Sequence, residues 1–146
     1  MISTWQIPGY RLERELGRGG MGRVYLAWQE GLGRQVAIKV IDAGDEAPDS
    51  LQTHARREGA ALARLQHPHI VAIYDGGRLA DGRHYLIMEY VEGGDLAQRI
   101  RPDMPWEQVR SIMLALTDAL AYAHQQGVVH RDLKPQNILF NRNEQP

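Results

Sequence analysis

The chain of 146 residues has no cysteine, which excludes disulfides, zinc–thiolate centres and thiol catalysis. It has no excess of either charge: seventeen basic residues against eighteen acidic leave a formal net charge of −1. Such a balance gives no electrostatic footing for nucleic acid or a membrane surface, so neither is expected as a partner. No stretch approaches the roughly 20 apolar residues of a bilayer span. The opening MISTWQIPGY has no basic region followed by an apolar run, so no secretory leader is expected. Internal repeats and low-complexity tracts are also missing. These absences leave the expectation of a soluble, cytoplasmic chain with length for one ordinary domain and one core. A membrane anchor beyond Pro146 stays open.

What is present is apolar patterning that changes period along the chain. Tyr10, Leu12 and Leu16 predict a first strand, residues 24–28 a second and 35–41 a third. A polar connection over 43–48 precedes a helix with Asp49 or Ser50 as its N-cap. The helix stripe is Leu51, Ala55, Glu58, Leu62 and Leu65, and His67-Pro68 ends it. Two more strands, 70–74 and 84–91, are expected as a hairpin closed by a loop over 76–82. Gly93-Gly94 breaks the chain before a short helix at about 95–100. The longest helix begins near Pro105 with the stripe Val109, Ile112, Met113, Leu116, Leu120 and Ala123, and Gly127 is placed to stop it.

Four segments carry chemistry. Residues 17–24, Gly-Arg-Gly-Gly-Met-Gly-Arg-Val, fit G-x-G-x-x-G-x-V, where residues without side chains let backbone N–H groups approach phosphates. A glycine-rich hairpin turn is the other account of this stretch. The dinucleotide version is excluded, because its glycines must lead into a helix and these lead into a strand. In Val36-Ala37-Ile38-Lys39, alternation puts Ala37 and Lys39 on the face opposite Val36 and Ile38. Lys39 is open to two readings there, a functional cation or an edge-strand lysine that blocks aggregation. Glu58 lies in an apolar helix stripe, where an unpaired carboxylate is costly to bury, so either Lys39 answers it or the stripe reaches solvent. The apolar run 85–92 ends in glycines, which suits an inner strand with a turn and also a strand end offering backbone groups to a purine edge. In His130-Arg131-Asp132-Leu133-Lys134-Pro135-Gln136-Asn137, Asp can accept a hydroxyl proton, Lys can neutralise a phosphate and Asn can ligate a hard cation.

Taken in order, these motifs resemble the eukaryotic-like protein kinase family over almost the whole chain. The opening L-G-R-G-G-M-G-R-V-Y-L-A is similar to the bacterial serine/threonine kinases, and Lys134, two residues after Asp132, fits that type. The resemblance implies an α+β, protein-kinase-like fold: a five-stranded antiparallel N-lobe with one main helix over about 10–92, then the first helices and catalytic loop of a C-lobe over 93–146. It implies ATP and Mg²⁺ as cofactors, and phosphoryl transfer to Ser/Thr hydroxyls of a protein substrate. Leu16, Gly17, Gly19 and Gly22 would then lie over the nucleotide, and Val24, Ala37 and Leu139 would sandwich the adenine. Met88 would be the gatekeeper, with Glu89 and Val91 offering backbone groups to adenine. Lys39 would hold the phosphates and pair with Glu58. Asp132 would be the catalytic base, Lys134 the partner of the γ-phosphate and Asn137 a metal ligand. His130, Leu62 and Ile73 would join the internal spine.

The family's D-F-G, activation loop and A-P-E are not among these residues, and that missing Asp supplies the second metal ligand. The 146 residues alone are therefore expected to be inactive or nearly so. The helix stripe from Val109 to Leu120 is expected to be uncovered, a surface for association. The alternatives are an inactive fragment that binds nucleotide or a partner chain, and a small-molecule phosphotransferase of the same fold. The unaltered H-R-D-L-K-P-x-N stands against the last.

Overall fold

Alternating β-branched residues need a pleated surface with one buried face, and the register between strands decides which residues share it. The computed structural model describes residues 5–19, 22–41, 64–128, 133–141 and 146. The chain divides into two units, one of Met1–Arg64 with Ala72–Tyr90 and one of Leu65–Val71 with Val91–Pro146.

The first unit holds β1 (Tyr10–Gly19), β2 (Gly22–Gln29), β3 (Arg34–Ile41), β4 (Ile73–Arg78) and β5 (His84–Glu89). They form one antiparallel sheet in the order β1-β2-β3-β5-β4. Its core face gathers Tyr25, Ala27, Val36, Ile38, Val40 and Ile87, with Trp5, Ile7 and Leu79 packed on them. Val36 and Ile38 are fully buried. The Trp5 ring meets Tyr25 edge-on, with centroids 5.2 Å apart, a favoured aromatic geometry. This cover from ahead of the first strand is not legible in the periodicity, which starts at Tyr10.

The hairpin of β4 and β5 differs from expectation. Gly76 and Gly77 lie inside β4, and the turn is Ala80-Asp81-Gly82. Leu79 N–H donates to the Arg83 carbonyl at 2.8 Å, Gly82 N–H donates to that of Leu79 at 3.0 Å, and Asp81 Oδ1 accepts the Arg83 N–H at 3.0 Å. A Cβ on Gly77 would stand 2.5 Å from the Tyr85 hydroxyl oxygen. The glycine makes room for a ring that packs on the core, and an edge strand tolerates it.

In the second unit, Asp95 caps a short helix α1 (Leu96–Arg99) with a reciprocal box. Its carboxylate accepts the Gln98 N–H at 3.0 Å, and the Gln98 side chain accepts the Asp95 N–H at 3.4 Å. The long helix α2 (Trp106–Gln125) starts after Pro105 and is followed by Gly127 at φ +80°. Ile112 packs with Ile138 and Phe140, flanked by Leu96, Met104 and Leu116. Met113 departs from the expected stripe and is 55% exposed. One residue is a turn of about 100° around a helix, so Met113 does not share the direction of buried Ile112. No helix among the described residues is long and apolar enough to cross a membrane. The helix expected over Leu51 to Leu65, with Ala55, Glu58 and Leu62, falls on residues 51–63 outside the described ones.

Candidate active site

β3 is a central strand of the sheet, with β2 on one side and β5 on the other. That position removes the edge-strand reading of Lys39. In the register, Lys39 lies opposite Val24 on β2 and Leu86 on β5, while Ala37 lies opposite Leu26 and Met88. Cross-strand partners share a face, so Val24, Leu26, Ala37, Leu86 and Met88 share with half-buried Lys39 the face away from the core. Leu26 and Ala37 are themselves buried, at 4% and 6% exposure. A cation held among apolar neighbours on a rigid central strand is suited to meeting an anion.

The glycine hairpin lies beside this face. Gly17 pairs with Val24 and Gly19 with Gly22. Its two described ends do different work. A Cβ on Gly22 would overlap the Val40 carbonyl, and its φ is +153°, so the sheet itself requires that glycine. Gly17 has nothing within 4 Å of where a Cβ would be. The fold places no demand there, and the space suits a group that approaches the backbone. The register shifts between Glu15 and Gly17, so Leu16 is the extra residue of a bulge. Glu15 and Arg18 bridge that bulge through Arg18 Nε donating at 2.6 Å. The Arg18 guanidinium holds the Glu15 carboxyl below the usual carboxylate range.

At the end of β5, the Glu89 N–H donates to the Ala72 carbonyl at 2.9 Å. Its side chain accepts the Ala72 N–H at 3.2 Å. The Glu89 N–H is taken, so the backbone group it could offer an adenine edge is its carbonyl.

Val91, Lys134, Asn137 and Leu139 belong to the second unit. Lys134 precedes a 3-10 turn, Pro135–Asn137, and its carbonyl accepts the Asn137 N–H at 2.9 Å. Both side chains of this pair are exposed. Leu139 forms an antiparallel bridge with Asp95. Around it, Leu96 N–H donates to the Ile138 carbonyl at 2.8 Å, Phe140 N–H to that of Gly94 at 2.9 Å, and Gly93 N–H to that of Phe140 at 2.6 Å. A Cβ on Gly93 would overlap the Phe140 carbonyl. The glycine read in the sequence as a chain break is thus a close backbone approach that anchors the segment after Asn137. Phe140, 1% exposed, fixes that segment in the core of the unit. Sequence reasoning passes over Phe140, and only its place in an apolar run marks it.

Glu58, Asp132 and His130 lie outside the described residues, as do Gly20 and Met21 of the glycine hairpin. The expected Lys39–Glu58 pair and the base position of Asp132 lie outside them as well. Among the described residues, no group of three His, Cys, Asp or Glu could hold a metal ion. Asn137 offers a hard amide oxygen, which fits a Mg²⁺ that takes most of its remaining ligands from phosphates and water.

A five-stranded antiparallel sheet with a glycine hairpin, a lysine on its central strand and a second, helical unit bearing Lys134 and Asn137 define a protein kinase fold. The protein kinase domain family matches residues 10–146, and the chain belongs to that family. It is 42% identical over 142 residues to the serine/threonine-protein kinase PknF of Mycobacterium tuberculosis, covering 94% of this chain and 30% of PknF. PknJ of the same organism is 44% identical over 137 residues, covering 92% of this chain and 23% of PknJ. The crystal structure of the Mycobacterium tuberculosis PknI kinase domain matches with a TM-score of 0.80 at 37% identity, covering 96% of this chain and 58% of that domain. The chain thus spans under a third of the length of PknF and of PknJ.

Proposed function

We propose that this chain supplies the nucleotide-handling part of a serine/threonine protein kinase, which transfers the γ-phosphoryl group of ATP to protein hydroxyls. The observation that carries the reading is Lys39, an ammonium-bearing residue on a central strand that shares its face with Val24, Leu26, Ala37, Leu86 and Met88. The apolar neighbours suit an adenine face, a role that the family resemblance also gives Leu139. Gly17, Gly19 and Gly22 cover the phosphates, Lys39 neutralises them, and Glu58 holds Lys39. Asn137 ligates Mg²⁺, which supplies charge neutralisation at the phosphates when bound. Lys134 faces the transferring group, and Asp132 accepts the hydroxyl proton. Such chemistry is mostly positioning and electrostatics. The need for ATP points to the cytoplasm. Association through α2 would use its exposed apolar residues Trp106, Met113 and Leu114, since Ile112 and Leu116 are packed within the unit.

The test is titration of the 146-residue chain with ATP, with and without Mg²⁺. The unaltered chain should bind, Mg²⁺ should tighten the complex, and Lys39→Met should weaken it roughly tenfold or more, the scale of a hydrogen bond to a charged group. Turnover by these residues alone should be near background, because the D-F-G ligand is not among them. Equal affinity in the Lys39→Met variant would overturn the reading.

A further inference from the structure

Arg99 lies at a junction to which the kinase reading gives no role. Its Nη2 donates to the Gly93 carbonyl at 2.7 Å. The same guanidinium stands over the Phe140 ring, 4.4 Å from the centroid. Gly93 and Phe140 are themselves joined, by the 2.6 Å bond from the Gly93 N–H to the Phe140 carbonyl. The three residues close a triangle: one side chain grips both strands of a short antiparallel pairing. Gly93 comes two residues after Val91, while Phe140 comes one after Leu139 and three after Asn137.

We propose that Arg99 is a positioning residue for nucleotide and metal. It holds the segment following Val91 against the segment carrying Asn137 and Leu139, so that groups for adenine and for the cation keep one register. The assignment rests on the kinase reading for the ligands it serves. A planar, weakly hydrated guanidinium can donate to a carbonyl in its plane while its face covers an aromatic ring. An ammonium has no planar face and donates from a single nitrogen, so it covers the ring less well while bonded to the carbonyl. Arg99 is half-buried, so water and salt screen these contacts less than at an open surface.

The experiment compares the unaltered 146-residue chain with Arg99→Lys and Arg99→Met. It reads ATP affinity with and without Mg²⁺, thermal midpoint, and amide hydrogen exchange at Gly93 and Phe140. Arg99→Met should weaken Mg²⁺–ATP binding about three- to tenfold, the scale of one ordinary hydrogen bond, because Arg99 acts on the ligand groups only through the pairing it holds. It should also shrink the tightening that Mg²⁺ provides and speed exchange at both amides. Arg99→Lys should recover only part of each effect. A lowered thermal midpoint with unchanged affinity and unchanged Mg²⁺ dependence would show a purely structural residue and overturn the proposal. Should Arg99→Met fail to fold, full-strength binding by Arg99→Lys overturns it equally. If the unaltered chain binds no ATP, the kinase reading falls, and the amide exchange still decides whether Arg99 holds the pairing: unchanged rates refute it.

Discussion

Lys39 and Asn137 are put in place by opposite means. Lys39 sits on a strand paired along its length with two neighbours, above a core face built from four strands and the N-terminal segment. Asn137 ends a three-residue turn, and the segment after it is held by backbone bonds with Gly93, Gly94 and Leu96 and by one buried ring. The first position is redundant, since many cross-strand contacts would each have to fail before Lys39 moved. Among the described residues the second rests on local backbone bonds and one ring rather than on ladders along both sides. Damage of similar size should therefore spread differently in the two units.

The largest effect that sharpens this contrast comes from core truncation. Phe140→Ala should cost about 3–5 kcal/mol and Ile38→Ala about 2–5 kcal/mol, as for other fully buried side chains. Amide exchange measured residue by residue should separate them. Loss of Phe140 should strip protection mainly from Ile138, Leu139 and Gly93. Loss of Ile38 should lower protection evenly across β2, β3 and β5. Uniform loss in both variants would erase the distinction.

The same difference explains what is legible in the sequence. Period-two alternation is enough to assign Val36, Ile38 and Val40 to one face and Lys39 to the other, because a strand's faces follow from parity alone. The glycine, lysine and catalytic-loop motifs are legible for a different reason: their chemistry restricts residue types at short spacing. Pairing of Gly93 with Phe140 joins residues far apart in the chain, and no local pattern encodes it. Trp5 escapes in a similar way, since a lone aromatic ahead of the first strand has no period. Met113 falls into the wrong stripe because steps of three and four accept neighbours at the margin of a helix face. The glycines of β4 read as a loop because Gly-Gly is a turn signal, while here Gly77 yields space to Tyr85.

Glycines provide a finer cut within the first unit. Gly22→Ala should destabilise by about 3 kcal/mol, since its φ is +153° and the new methyl would overlap the Val40 carbonyl. Gly17→Ala meets open space, so stability should stay within about 0.5 kcal/mol. ATP affinity should nonetheless fall several-fold in Gly17→Ala, read by titration beside a urea melt. Unchanged affinity there would mean that nothing approaches this backbone, and the site would shrink to the lysine face.

The smallest expected effect tests whether the sheet titrates as a unit of its own. Burial raises the Tyr85 phenol above its ordinary value, and the nearby Asp75 carboxylate adds to the shift. The folded form therefore holds this proton more tightly than the unfolded chain. The stabilisation is fully present below the unfolded value of about 10, and it is lost as pH rises through the higher folded value. Tyr85→Phe should flatten that alkaline decline in sheet stability, followed by denaturant melts between about pH 9 and 12. Protection of α2, which belongs to the other unit, should not follow the Tyr85 titration. A decline that persists unchanged in Tyr85→Phe would assign the alkaline weakness to other groups and leave the half-buried phenol without a measurable role.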